Sequence, residues 1–237
     1  MSFTFPHRLE RAVTAICPDI QARIDTPRPD TLDERALWWE LSCCILSSQV
    51  PYGIASAAAD AIAQTELLLA TDSDQAALAD ALEYILMHRV ELDGRPVRYR
   101  FPGSRAKQLA AAHAAVYQRE ASLSALVQDF GDASQARQWL VKHIPGAGPK
   151  QASMFLRNAG LTYSLAILDR HVLNYMSEVG ISDHTQPYVS GMSTYLRLEH
   201  SLREHATRIG YDVGLLDWAI WIVMRADKEP NMELDFA

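Results

Sequence analysis

An all-α fold with short loops is what the sequence predicts, and three observations predict it. Apolar residues recur three and four positions apart through most of the chain, the spacing of one helix face. Residues that start or stop helices stand at the ends of such stretches, as Pro51, Pro149 and Gly160 do. Alternation suited to a strand shows in one short run, Val97 to Phe101.

Taken in order, Leu37, Leu41, Cys44, Ile45 and Ser48 form a stripe on a helix begun near Thr31. Pro51 suits the first turn of the next helix, with Ile54, Ala57, Ala58, Ala61 and Ile62 on its buried side. A further helix covers about 74–88, and Asp93-Gly94-Arg95-Pro96 is the clearest turn cluster. Helices then follow at about 104–118, 132–142, 150–159, 170–180, 190–208 and 213–225. Glu229 to Ala237 reads as a loosely held tail.

The 237 residues suffice for a sizeable core, in one domain or two small intertwined lobes. Charged or polar residues interrupt every apolar run before it reaches membrane-spanning length, so no membrane association is expected. Met1 to Arg11 carries Glu10 and no continuous apolar stretch, unlike a secretory signal, which makes a cytoplasmic location the expectation. Cys17, Cys43 and Cys44 make a poor zinc site and are too few for an all-cysteine iron–sulfur cluster; reduced, buried thiols are expected. The eight histidines show no metal-ligand spacing either, and no metal is expected. A net charge of −7 argues against blanketing nucleic acid by bulk attraction. Yet Arg137 to Met176 holds five basic residues and one acid, a local balance of +4 that suits a small phosphate footprint.

Chemistry concentrates in that basic window. His143-Ile144-Pro145-Gly146-Ala147-Gly148-Pro149-Lys150 separates two helices, and its glycines permit a tight hairpin with bare backbone amides for a phosphate. Pro149 fits the first helical position, Ala152, Phe155, Leu156 and Ala159 form the inward stripe, and Gly160 suits a left-handed cap. From the glycines alone, an αα-corner needing them for geometry explains the pattern equally well. Lys150 tips the balance. The macrodipole disfavours a cation in a helix's first turn, and burial would add to this, favouring the free amine a nucleophile needs. In Ala166-Ile167-Leu168-Asp169-Arg170-His171-Val172, Asp169 is a good N-cap, and capping alone would account for it. Amide donors and the positive helix end keep such a carboxylate ionised, able to accept a proton and to stabilise a cationic sugar.

The string from His143 to Gly160, followed by Ala166 to Leu173, resembles the signature of helix-hairpin-helix 8-oxoguanine DNA glycosylase/lyases, the compact archaeal-type subfamily in particular. Leu46-Ser47-Ser48-Gln49, Tyr99-Arg100-Phe101 with Arg105-Ala106, and Leu216-Asp217-Trp218-Ala219-Ile220-Trp221 resemble further family blocks, whereas Ile222-Val223-Met224-Arg225-Ala226 departs from the pattern. The resemblance implies a two-lobed helical HhH-GPD fold with the active site in the cleft between lobes. Residues 30–128 would form the helical-barrel lobe. Residues 1–29 with 129–237 would form the second lobe, carrying the helix-hairpin-helix at about 136–160 and the catalytic aspartate.

It also implies roles. Lys150 would be the attacking amine and Asp169 its carboxylate partner; Gly146, Ala147, Gly148, Lys150 and His171 would hold phosphates; Gln49, Phe155, Asp217 and Trp221 would face the base. Plainer accounts stand beside the last group: Gln49 as an inter-helix polar residue, Trp221 as core, Asp217 as a cap or ion-pair member. The implied partner is double-stranded DNA with an extruded modified base, acted on by a monomer. No cofactor is required, although the likeness suggests a monovalent cation at the hairpin. The implied reaction is excision of an oxidised purine, 8-oxoguanine first, through a lysine Schiff base and β-elimination. Two other readings are a glycosylase for another modified base, for example in defence against phage, and a catalytically silent binder of nucleic acid or of a base-like group.

Overall fold

The computed structural model describes residues 5–26 and 33–226. They divide into two compact units, one of residues 29–161 and one of residues 1–28 with 162–237. Residues 129–161, grouped with the second lobe on the sequence, pack here with residues 29–128, because the second helix of the hairpin lies on α2 (Glu34–Leu46).

Helix α2 organises the first unit. Leu37, Trp38 and every residue from Glu40 to Leu46 are buried, so neighbours must cover it on nearly every side. They are α3 (Tyr52–Ala63), α5 (Pro102–Arg119), α6 (Leu123–Asp129) and α8 (Pro149–Asn158). Asp33 caps α2, and Glu34 in its first turn accepts the Leu123 and Ser124 amides at 2.7 and 2.8 Å, tying α6 to it. The Thr31 start predicted for α2 lies outside the described residues, as does the Glu229–Ala237 tail. Helix α4 (Gln75–Met87) packs on α5, and α7 (Ala133–His143) packs on α8.

The extended region differs from expectation. Strands β1 (Arg89–Leu92) and β2 (Arg95–Arg98) pair antiparallel around Asp93-Gly94, whose φ values of 51° and 71° are those of a two-residue primed turn. Arg95 and Pro96 are therefore strand residues, not turn. The run to Phe101 leaves the ladder after Arg98, because Tyr99 turns inward to bury its ring.

The second unit is built from α1 (Phe5–Ile24), α9 (Arg170–Glu178), α10 (Met192–Ile209) and α11 (Val213–Ala226). Leu9, Val13, Cys17 and Ile20 of α1 join Val172, Leu173, Tyr175 and Met176 of α9 in one core. Helices α1 and α6 are additions to those expected from the sequence. In α1 the stripe is there, but Pro18 interrupts it and polar residues crowd it. The three cysteines are free and buried, as expected. No described helix is long and apolar enough to cross a membrane.

Candidate active site

The hairpin between α7 and α8 has the local geometry its residues dictate. Gly146 adopts φ +89°, and the Ala147 amide donates to the Ile144 carbonyl at 3.1 Å, closing the turn. Gly148 is the N-cap of α8 and has no side chain to occupy the first-turn amides, while Pro149 takes the first helical position. Those amides and the positive helix end suit an anion. Ala152, Phe155 and Leu156 are buried, as predicted, whereas Ala159 is the half-buried C-cap, because the helix ends one residue before it. Gly160, at φ +77°, ends the helix: its amide donates to Arg157 and the Leu161 amide to Leu156, a Schellman cap.

Three contacts seat this element. Buried Arg137 of α7 donates to Ser153 of α8 at 3.2 Å. Asn158, at the end of α8, donates to buried Glu40 of α2 at 2.8 Å, and the Cys44 thiol donates to the same oxygen. Gln108 of α5 holds its Oε1 where a Cβ on Gly146 would lie, 2.6 Å away. Lys150 is half-buried at the second helical position, and its charge acts on the sulfur of Cys44 in α2. Burial nevertheless keeps the Cys44 thiol protonated, far above its usual value. Among the described residues of this unit, no carboxylate lies within ion-pair distance of Lys150.

Gln49 is exposed in a left-handed backbone conformation, φ 63°, uncommon for a residue with a side chain. Tyr99 donates to the Leu46 carbonyl at 2.8 Å and Arg105 to the Ser48 carbonyl at 3.0 Å, so the turn is held at both ends. Gln49 borders a cavity of about 650 Å³, lined also by Ile54, Met87, Arg98, Tyr99 and Arg100. Arg105 donates to Gln108 as well, at 2.6 Å, which links the Gln49 turn to the back of the hairpin. Sequence reasoning gave Arg105 and Gln108 no role. The Arg105-Ala106 block was the available signal, but its partners lie 57 and 3 residues away.

In the second unit the residues before Asp169 form a buried extended strap. The Ala166 amide donates to Glu199 at 2.8 Å and the Ile167 amide to Asp217 at 2.6 Å. The Tyr195 hydroxyl accepts from Leu168 and donates to the Ala166 carbonyl. Gly214 of α11 approaches so closely that a Cβ would meet the Tyr163 carbonyl oxygen at 2.6 Å. Asp169 ends the strap as the N-cap of α9, its Oδ1 accepting the Val172 amide at 2.9 Å. His171, half-buried, follows in the first turn of α9.

The four base-facing candidates are placed differently. Gln49 borders the cavity, and Phe155 is fully buried in α8 of the same unit. In the other unit, Asp217 is 1% exposed and holds the strap, and Trp221 is half-buried under the Arg225 guanidinium, 4.9 Å from its ring centre. Among the described residues, no group of three histidines, cysteines or carboxylates is placed to hold a metal ion.

Comparison with known proteins assigns the chain. A model of the 8-oxoguanine DNA glycosylase family matches residues 23–211. The 8-oxoguanine DNA glycosylase/AP lyase of Saccharolobus solfataricus is 30% identical over 202 residues, covering 84% of this chain and 87% of the relative. That of Sulfurisphaera tokodaii is 32% identical over 191 residues, covering 79% and 82%. The crystal structure of the Thermotoga maritima 8-oxoguanine DNA glycosylase superposes with a TM-score of 0.66 at 28% identity, covering 92% and 94% of the two chains. A Methanocaldococcus jannaschii 8-oxoguanine glycosylase/lyase, solved with a 15mer DNA containing 8-oxoguanine, shares the fold with a TM-score of 0.62 at 23% identity, covering 90% and 89%. By the span of the family match and the likeness to these relatives, the chain belongs to the helix-hairpin-helix 8-oxoguanine DNA glycosylase family.

Proposed function

We propose that this protein is a DNA N-glycosylase and AP lyase that excises 8-oxoguanine from double-stranded DNA, with Lys150 as nucleophile. The observation that carries the reading is the position of Lys150: half-buried, one residue past Pro149, on a helix whose N-terminus has no side-chain cap. A lysine is an unfavourable choice there for stability, since its charge opposes the helix dipole. As a nucleophile it is well placed, because it stands half-buried beside the uncapped first-turn amides that suit a flanking phosphate.

The target nucleotide leaves the duplex, since C1′ is shielded within the stack. Amides of Gly146, Gly148 and Lys150 hold flanking phosphate, with His171 as a further donor, whereas the Ala147 amide expected among them is engaged by the Ile144 carbonyl. Lys150 Nζ attacks C1′, the glycosidic bond breaks, and the base leaves with the bonding electrons. Asp169 accepts the proton lost by the amine and opposes the positive charge on the sugar. Ring opening gives an imine between Lys150 and the sugar, and loss of a C2′ proton expels the 3′ phosphate. Asp169 still has its second carboxylate oxygen for this work, since the cap uses Oδ1. Gln49 and Trp221 face the base, whereas Phe155 and Asp217, expected beside them, are buried within their own units and act behind that surface. A single chain acts; hairpin carbonyls would hold a monovalent cation, which when bound would supply positive charge beside the phosphate without entering the reaction.

The test is a 5′-labelled duplex with one 8-oxoguanine. Free 8-oxoguanine and a nicked strand, without added cofactor, are expected. Release of a different modified base, with 8-oxoguanine left intact, would reassign the substrate.

A further inference from the structure

The β1–β2 hairpin is pinned by its two-residue turn and by its apolar side. Val90 is buried, and Leu92 packs against α3 at Gly53, where an added Cβ would lie 3.2 Å from its methyl carbon. Pairing register is therefore set, and a one-residue slip would turn the apolar residues outward. In this register Arg89 stands directly opposite Arg98 on the outward face, and both are exposed. Like charges so placed destabilise a hairpin. Glu91 lies on the same face but opposite Pro96, and neither arginine has an ion pair among the described residues. From His88 to Lys107 there are six lysines and arginines against two acids, +4 in a chain of −7. Arg98 also borders the cavity that Gln49 borders.

We propose that this outward face, through Arg89 and Arg98, is a second surface for the DNA backbone, separate from the Gly146–Lys150 hairpin. The proposal rests on the DNA reading above. A phosphodiester between the two guanidiniums replaces their repulsion with charge-assisted hydrogen bonds that a planar fork makes well. The surface adds affinity without sequence preference, as backbone contacts do.

The test measures affinity of the full chain for lesion-free duplex DNA as a function of salt, so that failed chemistry does not obscure it. Arg89→Ala with Arg98→Ala should lower the log–log salt slope by roughly one, for the single phosphate they share, and weaken binding about tenfold or more at 0.1 M salt. The double lysine variant, Arg89→Lys with Arg98→Lys, should keep most of the slope. Arg119→Ala, whose guanidinium is paired with Asp129 at 2.7 Å, should leave it unchanged. An unchanged slope in the double alanine variant, or an equal loss in Arg119→Ala, overturns the proposal. Failure of the native chain to release 8-oxoguanine, with the slope still lowered in the double alanine variant, would instead count against the substrate reading alone.

Discussion

Gln108 Oε1 occupies the space into which any side chain at Gly146 would project. The hairpin is thus fitted to α5 from behind; glycine is required there for its φ of +89°, and a side chain would also have to displace the flexible end of Gln108. Gly146→Ala should cost about 1–2 kcal/mol from the backbone alone, and more from displacing Gln108. Adding Gln108→Ala should recover the second part and leave the first. Urea unfolding of both single variants and the double variant measures this, and strict additivity would show that the two residues do not meet.

Asp169 combines a structural and a proposed chemical role, and substitution separates them. Asn can still accept the Val172 amide as an N-cap. Asp169→Asn should therefore keep the fold and DNA affinity while turnover falls by about a hundredfold or more, in the range of acid–base contributions. Single-turnover kinetics beside binding measurements decide the matter; equal losses in both would reduce Asp169 to a cap.

Glu40 carries a pH signature. Burial raises its pKa above the ordinary glutamate value, partly offset by Asn158, Cys44 and the Arg157 charge. Because the folded chain then holds this proton more tightly than the unfolded one, its contribution to stability declines as pH rises above the unfolded value. Glu40→Gln removes the charge and keeps an acceptor for Asn158. The variant should gain on the native protein as pH rises from about 4.3, the ordinary glutamate value, to about 7. Unfolding curves at the two values test it, and a constant difference would contradict it.

His205 has the opposite sign. Burial and then the Arg208 charge lower its pKa, against Glu10, which raises it. Its Nε2 meets the Tyr175 hydroxyl at 3.1 Å, with Glu10 3.8 Å away, and its Nδ1 meets the Arg208 guanidinium. The unfolded chain takes up this proton more readily, so stability falls as pH drops below roughly 6.5. His205→Gln should flatten the fall, read from thermal unfolding at pH 7.5 and pH 5.5. An equally steep fall in the variant would place the acid sensitivity elsewhere.

What the sequence revealed was local. The start of α8 at Pro149, the buried Ala152, Phe155 and Leu156, and the Gly160 cap depend on neighbours within a few positions, and all are seen. Asp169 as an N-cap is equally local. The supports of these residues are not. Ala166 and Ile167 find Glu199 and Asp217 33 and 50 residues on, and Ser48 finds Arg105 57 residues on. No periodicity encodes such partners. Helix α1 was hidden for a different reason: Pro18 sits within a stripe that otherwise runs Leu9, Val13, Cys17, Ile20.

The central claim is that the Lys150 amine becomes covalently joined to the sugar. Borohydride added during reaction with an 8-oxoguanine duplex reduces such an imine to a permanent link. The native protein should yield a crosslinked protein–DNA species that Lys150→Gln does not, while the variant still binds the duplex. Crosslinking that persists in Lys150→Gln, or its absence in a native protein that releases the base, would contradict the account.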